Sequence, residues 1–269
     1  MARLFAALAL TAALSGAAAS PAAAAQCGGD FHSFIVAFSR EAAAKGISQG
    51  VLSQALGGVT EDPKVLAFDR RQRGTFRKSF EDYARTRVTA PRIKRAKALM
   101  ARHAATLARV EARFGVPRQL VMAIWTMETD NGADQGKLPV IRTLATLAHD
   151  CRRTDLFQTE LLAALQIVQR GDLPLRDMLG AYAGEIGQTQ FLPSSYIKYG
   201  VDFDGNGHVD LRHSVPDVLA STANLLKVNG FRAGQPYGIG TANFEAMREW
   251  NRSEVYRQTL HYFAQKIAE

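Results

Sequence analysis

Ile124-Trp125-Thr126-Met127-Glu128-Thr129-Asp130-Asn131-Gly132 reads as the end of an apolar helix interrupted by one carboxylate. Leu120 and Ile124 lie two turns and one turn before Glu128, so on a helix opening near Pro117 the three share a face. Gly132 is the natural stop, which sets Glu128 near the negative end of the helix dipole. Partial desolvation and the helix end both raise a carboxyl pKa, and an acid kept protonated near neutral pH is what glycosidic cleavage requires. On this helix alone, a carboxyl satisfied by a structural partner is the favoured reading, because perturbed carboxylates also occur in structural networks.

The surrounding chain has 269 residues, 47% hydrophobic and 22% charged, which suits a globular protein of one or two domains and excludes a disordered or low-complexity one. Residues 1–25 stand apart as one Arg, an apolar run from Leu4 to Leu14 and an alanine-rich stretch before Gln26, the pattern of a cleavable secretory signal. The run is too short for a stable membrane anchor and no later one approaches the roughly 20 residues a transmembrane helix needs, so a soluble exported protein without stable membrane insertion is expected. Gln26 ahead of Cys27 disfavours lipid attachment at that cysteine. Cys27 and Cys151 form an even pair, and an oxidising compartment favours a disulfide between them over two isolated thiols.

Apolar residues recur at helical spacing through Phe31, Phe34, Ile35 and Phe38, with Lys45-Gly46 as the stop and a second short helix from Ser48 to Leu56. Thr89-Ala90-Pro91 opens a helix whose apolar positions Ile93, Ala96, Met100, His103, Leu107, Val110 and Phe114 continue to Gly115-Val116-Pro117. His103 is expected to be core rather than a ligand. Between Arg70 and Arg118 there are 15 Lys or Arg against three acids, and a solvated helix face is favoured over nucleic-acid binding because export removes the chain from nucleic acid. Attraction to an anionic envelope polymer or membrane surface is the third reading.

Beyond Gly132, further helices are expected over Pro139 to His149 and Asp155 to Gln169, with Arg152 and Arg153 between them able to meet ligand carboxylates or cap a helix C-terminus. Tyr182-Ala183-Gly184-Glu185-Ile186-Gly187-Gln188-Thr189-Gln190-Phe191-Leu192-Pro193-Ser194-Ser195-Tyr196 combines small residues with amides and hydroxyls, as sugar recognition requires, although ordinary tight turns share that composition. Glu185 is the candidate second carboxylate. Asp202-Phe203-Asp204-Gly205-Asn206-Gly207-His208-Val209-Asp210 has the oxygen donors and glycine of an EF-hand calcium loop, but His213 replaces the closing acid, and Asp217 is the alternative closure of a longer loop. Calcium, held by Asp202, Asp204, Asn206, His208 and Asp217, is preferred over an unfilled aspartate-rich turn. Two short helices end the chain, with capping-box spacing from Asn251 to Glu254, although Asn251 equally suits a ligand contact.

Five stretches together resemble the lytic murein transglycosylase B family of bacterial cell-wall enzymes: Met127-Glu128-Thr129 with Gly132; Ala183-Gly184 with Gly187-Gln188-Thr189-Gln190-Phe191 and Pro193-Ser194-Ser195-Tyr196; the Asp202 to Asp210 loop; Phe68-Asp69-Arg70-Arg71-Gln72; and Trp250-Asn251-Arg252-Ser253. The resemblance implies a mainly α fold, with an N-terminal helical region over 26–115 and a lysozyme-like catalytic core over 116–269 that carries the EF-hand-like loop. It implies non-hydrolytic cleavage between N-acetylmuramic acid and N-acetylglucosamine, with Glu128 as acid and then base and no carboxylate nucleophile. By the same matching Gln190 resembles a sugar contact, Arg152 and Arg153 resemble contacts to the peptide stem, and Tyr182, Gln188, Phe191, Trp250, Asn251 and Tyr256 belong to the glycan groove. Peptidoglycan strands in the periplasm are the implied partner of a monomer that binds structural Ca2+ and no organic cofactor, with cell-wall synthesis or division complexes as further candidates. Three departures bear on this: many members carry alanine at the position of Glu185, some carry tyrosine at that of Trp250, and the family can carry serine where Ala181 stands. A hydrolytic muramidase and a non-catalytic peptidoglycan-binding protein are the alternatives.

Overall fold

The computed structural model describes residues 25–71 and 78–269. The expected signal segment, apart from Ala25, lies outside the described residues, as do Gln72 of the Phe68 stretch and Arg73 and Arg77 of the basic run. The fold is mainly helical, as the sequence predicts. Helices α1 (Phe31–Ala44), α2 (Gln49–Leu56), α3 (Pro63–Arg71), α4 (Phe80–Arg87), α5 (Ala90–Arg102) and α6 (Ala104–Phe114) precede the central α7 (Arg118–Thr129). After it come α8 (Val140–His149), α9 (Thr154–Arg170), α10 (Pro193–Tyr199), α11 (Val215–Val228), α12 (Ala242–Ala246) and α13 (Glu254–Ala268). Two-residue strands β1 (Leu138–Pro139) and β2 (Leu179–Gly180) pair antiparallel, and bridges Gly180 to Ile186 and Ile186 to Phe191 extend this small sheet through the loop that follows.

Helix α7 is the axis of the molecule. Every residue from Leu120 to Met127 is buried, so the helix is apolar all round and must be encased, here by α5, α6, α11 and α13. Burying each of Leu120, Met122 and Ile124 contributes roughly 1.5–3 kcal/mol relative to exposure. Its polar groups are answered internally: the Thr126 hydroxyl donates to the Met122 carbonyl at 2.8 Å, and the Trp125 indole N–H donates to Gln188 Oε1 at 2.9 Å. Three successive left-handed residues, Asp130, Asn131 and Gly132, end the helix, so the stop comes two residues before the expected glycine. Arg92 completes that end by donating to the Thr126 carbonyl and pairing with Asp130, each at 2.7 Å, a cation at the negative pole of the helix.

The long basic helix expected from Thr89 to Phe114 is instead two. His103 leaves helical geometry between α5 and α6 and sets its ring edge-on to Trp125, with centroids 5.8 Å apart; burial lowers its pKa. The apolar stripe is continuous across the break, which is why periodicity alone joins the two helices. Lys94, Arg95, Lys97 and Arg102 lie on the exposed side. At the C-terminal end the cap of α13 is Ser253, whose hydroxyl accepts from the Tyr256 N–H; Asn251, at the expected capping position, instead accepts from the Ser253 N–H. Among the described residues no helix is long and apolar enough to cross a membrane.

Candidate active site

Glu128 sits on the last turn of α7, where the helix leaves the core and opens on a cavity of about 390 Å3. Two donors converge on one of its oxygens. The Trp250 indole N–H donates to Oε1 at 2.9 Å, and the Tyr256 hydroxyl donates to the same atom. Burial pushes the Glu128 pKa up; the bonds from Tyr256 and Trp250 oppose that shift, and the charge of Glu185 adds to it. Tyr256 is buried behind Glu128, and burial together with the neighbouring carboxylate keeps its hydroxyl protonated, hence a donor, far above its ordinary range. With Oε1 occupied, Oε2 is left to carry a transferable proton.

The opposite wall comes from the loop over residues 181–192. Gly184 (φ +84) and Gly187 (φ +81) turn that loop tightly: a Cβ on Gly184 would stand 2.4 Å from the Leu144 side chain, and one on Gly187 2.3 Å from the Leu211 carbonyl oxygen. Between them Glu185 faces the cavity, its Oε2 accepting from the Ala183 N–H at 3.0 Å. Burial raises its pKa too, against the fields of that amide and of Arg153. The cavity therefore holds a second carboxylate.

The sequence-predicted groove residues divide between the cavity and its supports. Tyr182, Gln190, Phe191, Trp250 and Asn251 line the cavity with Glu128. The Phe191 and Trp250 rings meet edge-on with centroids 5.5 Å apart, and Tyr182 packs on Phe68 at 4.2 Å. Gln190 adopts φ 56, and its amide donates to the Gly187 carbonyl at 2.9 Å, which fixes its side chain at the rim. Gln188 turns inward: buried, it accepts from Trp125 and donates to the Arg212 carbonyl at 2.9 Å, tying the loop to α7. Tyr256 holds Glu128 from behind.

Arg152 and Arg153 lie outside this cavity. Both pair with Asp69 of α3, which is only 2% exposed, Arg152 at 2.7 Å, and Arg70 pairs with Asp150 at 2.9 Å. They are neither caps of α8 nor free; each nonetheless keeps more than a third of its side chain exposed, beside the bonded Cys27 and Cys151, whose Cα atoms are 5.1 Å apart. Asp69 belongs to the Phe68 to Gln72 stretch that carries the resemblance, but its pairing has no local signal, because its partners are more than 80 residues away. Glu249, Ser195 and Thr189 also line the cavity unannounced; Ser195 and Thr189 stand in the stretch over 182–196, while Glu249 has no signal beyond its place before Trp250.

In the aspartate-rich loop, carboxylate oxygens of Asp202, Asp204 and Asp217 lie within 4.8 Å of one another. Asp217 is fully buried at the start of α11 and accepts from the Phe203, Asp204 and Asp210 N–H groups, so it ties both ends of the loop together. Asp202 accepts from Gly205, Asn206 and Gly207. The His208 ring stands beside Gly171, outside that trio, and the Asn206 amide oxygen accepts from the His208 N–H. An all-oxygen donor set of three carboxylates fits a hard divalent cation.

The sequence profile described as the transglycosylase SLT domain matches residues 30–240. Membrane-bound lytic murein transglycosylase B of Escherichia coli strain K12 is 38% identical over 128 residues, 47% of this chain and 35% of that protein, so the match spans about a third of the relative's length. The crystal structure of SltB3 from Pseudomonas aeruginosa in complex with NAG-anhNAM-pentapeptide superposes with a TM-score of 0.84 at 32% identity, covering 90% of this chain and 80% of that one. The Escherichia coli lytic transglycosylase Slt35 in complex with calcium gives a TM-score of 0.80 at 24% identity over 93% of this chain and 98% of that one, a likeness of fold.

Proposed function

The chain belongs to the transglycosylase SLT domain family, and from that premise we propose that it is a lytic transglycosylase of peptidoglycan, with Glu128 as its acid and then its base. The reading rests on one observation: a carboxyl with a raised pKa, one oxygen fixed by Trp250 and Tyr256, at the mouth of a cavity lined with aromatic and amide groups. The other oxygen, protonated, gives its proton to the glycosidic oxygen as the C1–O bond between N-acetylmuramic acid and N-acetylglucosamine breaks. The bonding pair leaves with the N-acetylglucosamine oxygen. The muramyl 6-hydroxyl then attacks C1 and yields its proton to the Glu128 carboxylate, which closes a 1,6-anhydro ring and restores the acid without consuming water. Tyr256 and Trp250 stabilise Glu128 while it is ionised between the two transfers.

The glycan would run past Tyr182, Gln190, Phe191, Trp250 and Asn251, whose mix of ring faces and amides suits amino sugars. The exposed parts of Arg152 and Arg153 suit stem-peptide carboxylates, and the solved complex of SltB3 with NAG-NAM-pentapeptide supports a peptide-bearing ligand. Such a substrate, with the signal-like residues 1–25, supports a periplasmic location. Asp202, Asp204 and Asp217, with Asn206 and the main chain of His208, would hold Ca2+ as a structural ion that neutralises the buried Asp217. Added calcium should then raise the Tm and a chelator lower it; a Tm indifferent to both removes the ion from the account.

Glu185 favours one competing reading, a muramidase, since a second carboxylate in the cavity is what activation of water needs. Product analysis separates the two: transglycosylation leaves 1,6-anhydromuramic ends, and hydrolysis leaves reducing muramic ends.

A further inference from the structure

The cavity around Glu128 has a charge character opposite to that of the chain. The protein carries a formal net charge of +8, yet the cavity is lined by Glu128, Glu185 and Glu249 and by no Lys or Arg among the described residues. Glu249 stands on the exposed turn before Trp250, whereas Glu185 is enclosed by the loop that Gly184 and Gly187 fold. The two enclosed carboxyls differ in what surrounds them. Burial raises the Glu185 pKa as well, and the charge of Glu160 on α9 adds to that, but the Ala183 amide at 3.0 Å and the field of Arg153 oppose the rise. The residues facing Glu128 are Tyr256 on α13, Trp250 before it, Tyr83 and Arg87 on α4, and Glu185 across the cavity; Glu185 is the charge among them that opposes ionisation.

Resting on the transglycosylase reading, we propose that Glu185 is a positioning residue of the reaction: its carboxylate, facing Glu128 across one cavity, keeps the catalytic proton on Glu128 until the sugar takes it. Two carboxyls that line one cavity do not ionise independently, so a charge on one holds the proton on the other.

The test is the pH dependence of kcat/KM on soluble glycan strands for the wild type, Glu185→Gln and Glu185→Asp. The alkaline limb reports loss of the proton from Glu128. Removing the opposing charge in Glu185→Gln lets Glu128 ionise earlier, so that limb should move down by about one pH unit, giving about a tenfold loss above the wild-type midpoint and little below it. Glu185→Asp, which keeps the charge, should restore most of the wild-type profile. A purely structural role would lower activity equally at every pH. A Glu185→Gln limb that stays in place or moves up overturns the proposal. If that variant turns over too slowly, carboxyl 13C NMR titration, with the Glu128 resonance identified by its loss in Glu128→Gln, reads the same shift directly. A wild-type enzyme that makes no anhydro ends defeats the transglycosylase reading and leaves the carboxyl titration as the independent test of the pair.

Discussion

Replacing Tyr256 by Phe removes a single hydroxyl from the site and should move its pH profile. The Tyr256 hydroxyl donates to Glu128 Oε1, and that bond favours the ionised carboxylate. A hydrogen bond to a charged acceptor contributes roughly 1.5–3 kcal/mol. The protonated carboxyl retains part of it, and Trp250 still donates to the same oxygen at 2.9 Å, so the differential loss is about 1.4 kcal/mol, or one pKa unit. Without the bond Glu128 holds its proton to higher pH, and the alkaline limb of kcat/KM should rise by about one unit, opposite in sign to the Glu185→Gln shift. Phe fills the same space and Trp250 still donates to Oε1, so the protein should stay folded, with a Tm lowered only by the lost bond. A limb that falls or stays fixed in a folded Tyr256→Phe protein refutes the assignment of Tyr256 as a stabiliser of the ionised acid.

Two further outcomes follow from the same geometry. Because burial raises the folded-state pKa of Glu128, the unfolded chain releases this proton first as pH rises, so the residue costs stability above its unfolded pKa. Glu128→Gln should therefore melt higher than the wild type at neutral pH, with the gap closing once the pH falls below the ordinary carboxylate range; an equal or lower Tm at neutral pH contradicts the desolvation argument. Replacing both Cys27 and Cys151 by Ser opens a loop with a sequence separation of 124 residues, for which chain entropy alone gives a loss of up to about 5 kcal/mol, read as a lower denaturant midpoint; an unchanged midpoint means that the bond contributes nothing globally.

The parts of this fold that the sequence reveals are those encoded in near neighbours. Helix α7 is legible because its apolar run leaves no polar face, and Glu128 because it breaks that run. Periodicity does not register the His103 break, since two helices with aligned stripes carry the same pattern as one. Strands β1 and β2, at two residues each, are too short for an alternating signal and exist because the loop over 181–192 folds back on them. Within that loop composition offers Gln188 and Gln190 equally, and the resemblance, which singles out Gln190 as the sugar contact, puts both in the groove. Only tertiary packing, Trp125 and Arg212 reaching Gln188, decides that one glutamine braces α7 while the other meets the cavity. Asp69, Arg152 and Arg153 show the same limit, because an ion-pair cluster drawn from α3 and the turn after α8 has no local signature.

Mass spectrometry of purified peptidoglycan sacculi digested in parallel by the wild type and by Glu128→Gln bears most directly on the central claim. The account predicts 1,6-anhydromuramic ends from the wild type and none from a variant that still binds the sacculi. Reducing muramic ends alone from the wild type, or anhydro ends released equally by Glu128→Gln, would contradict it.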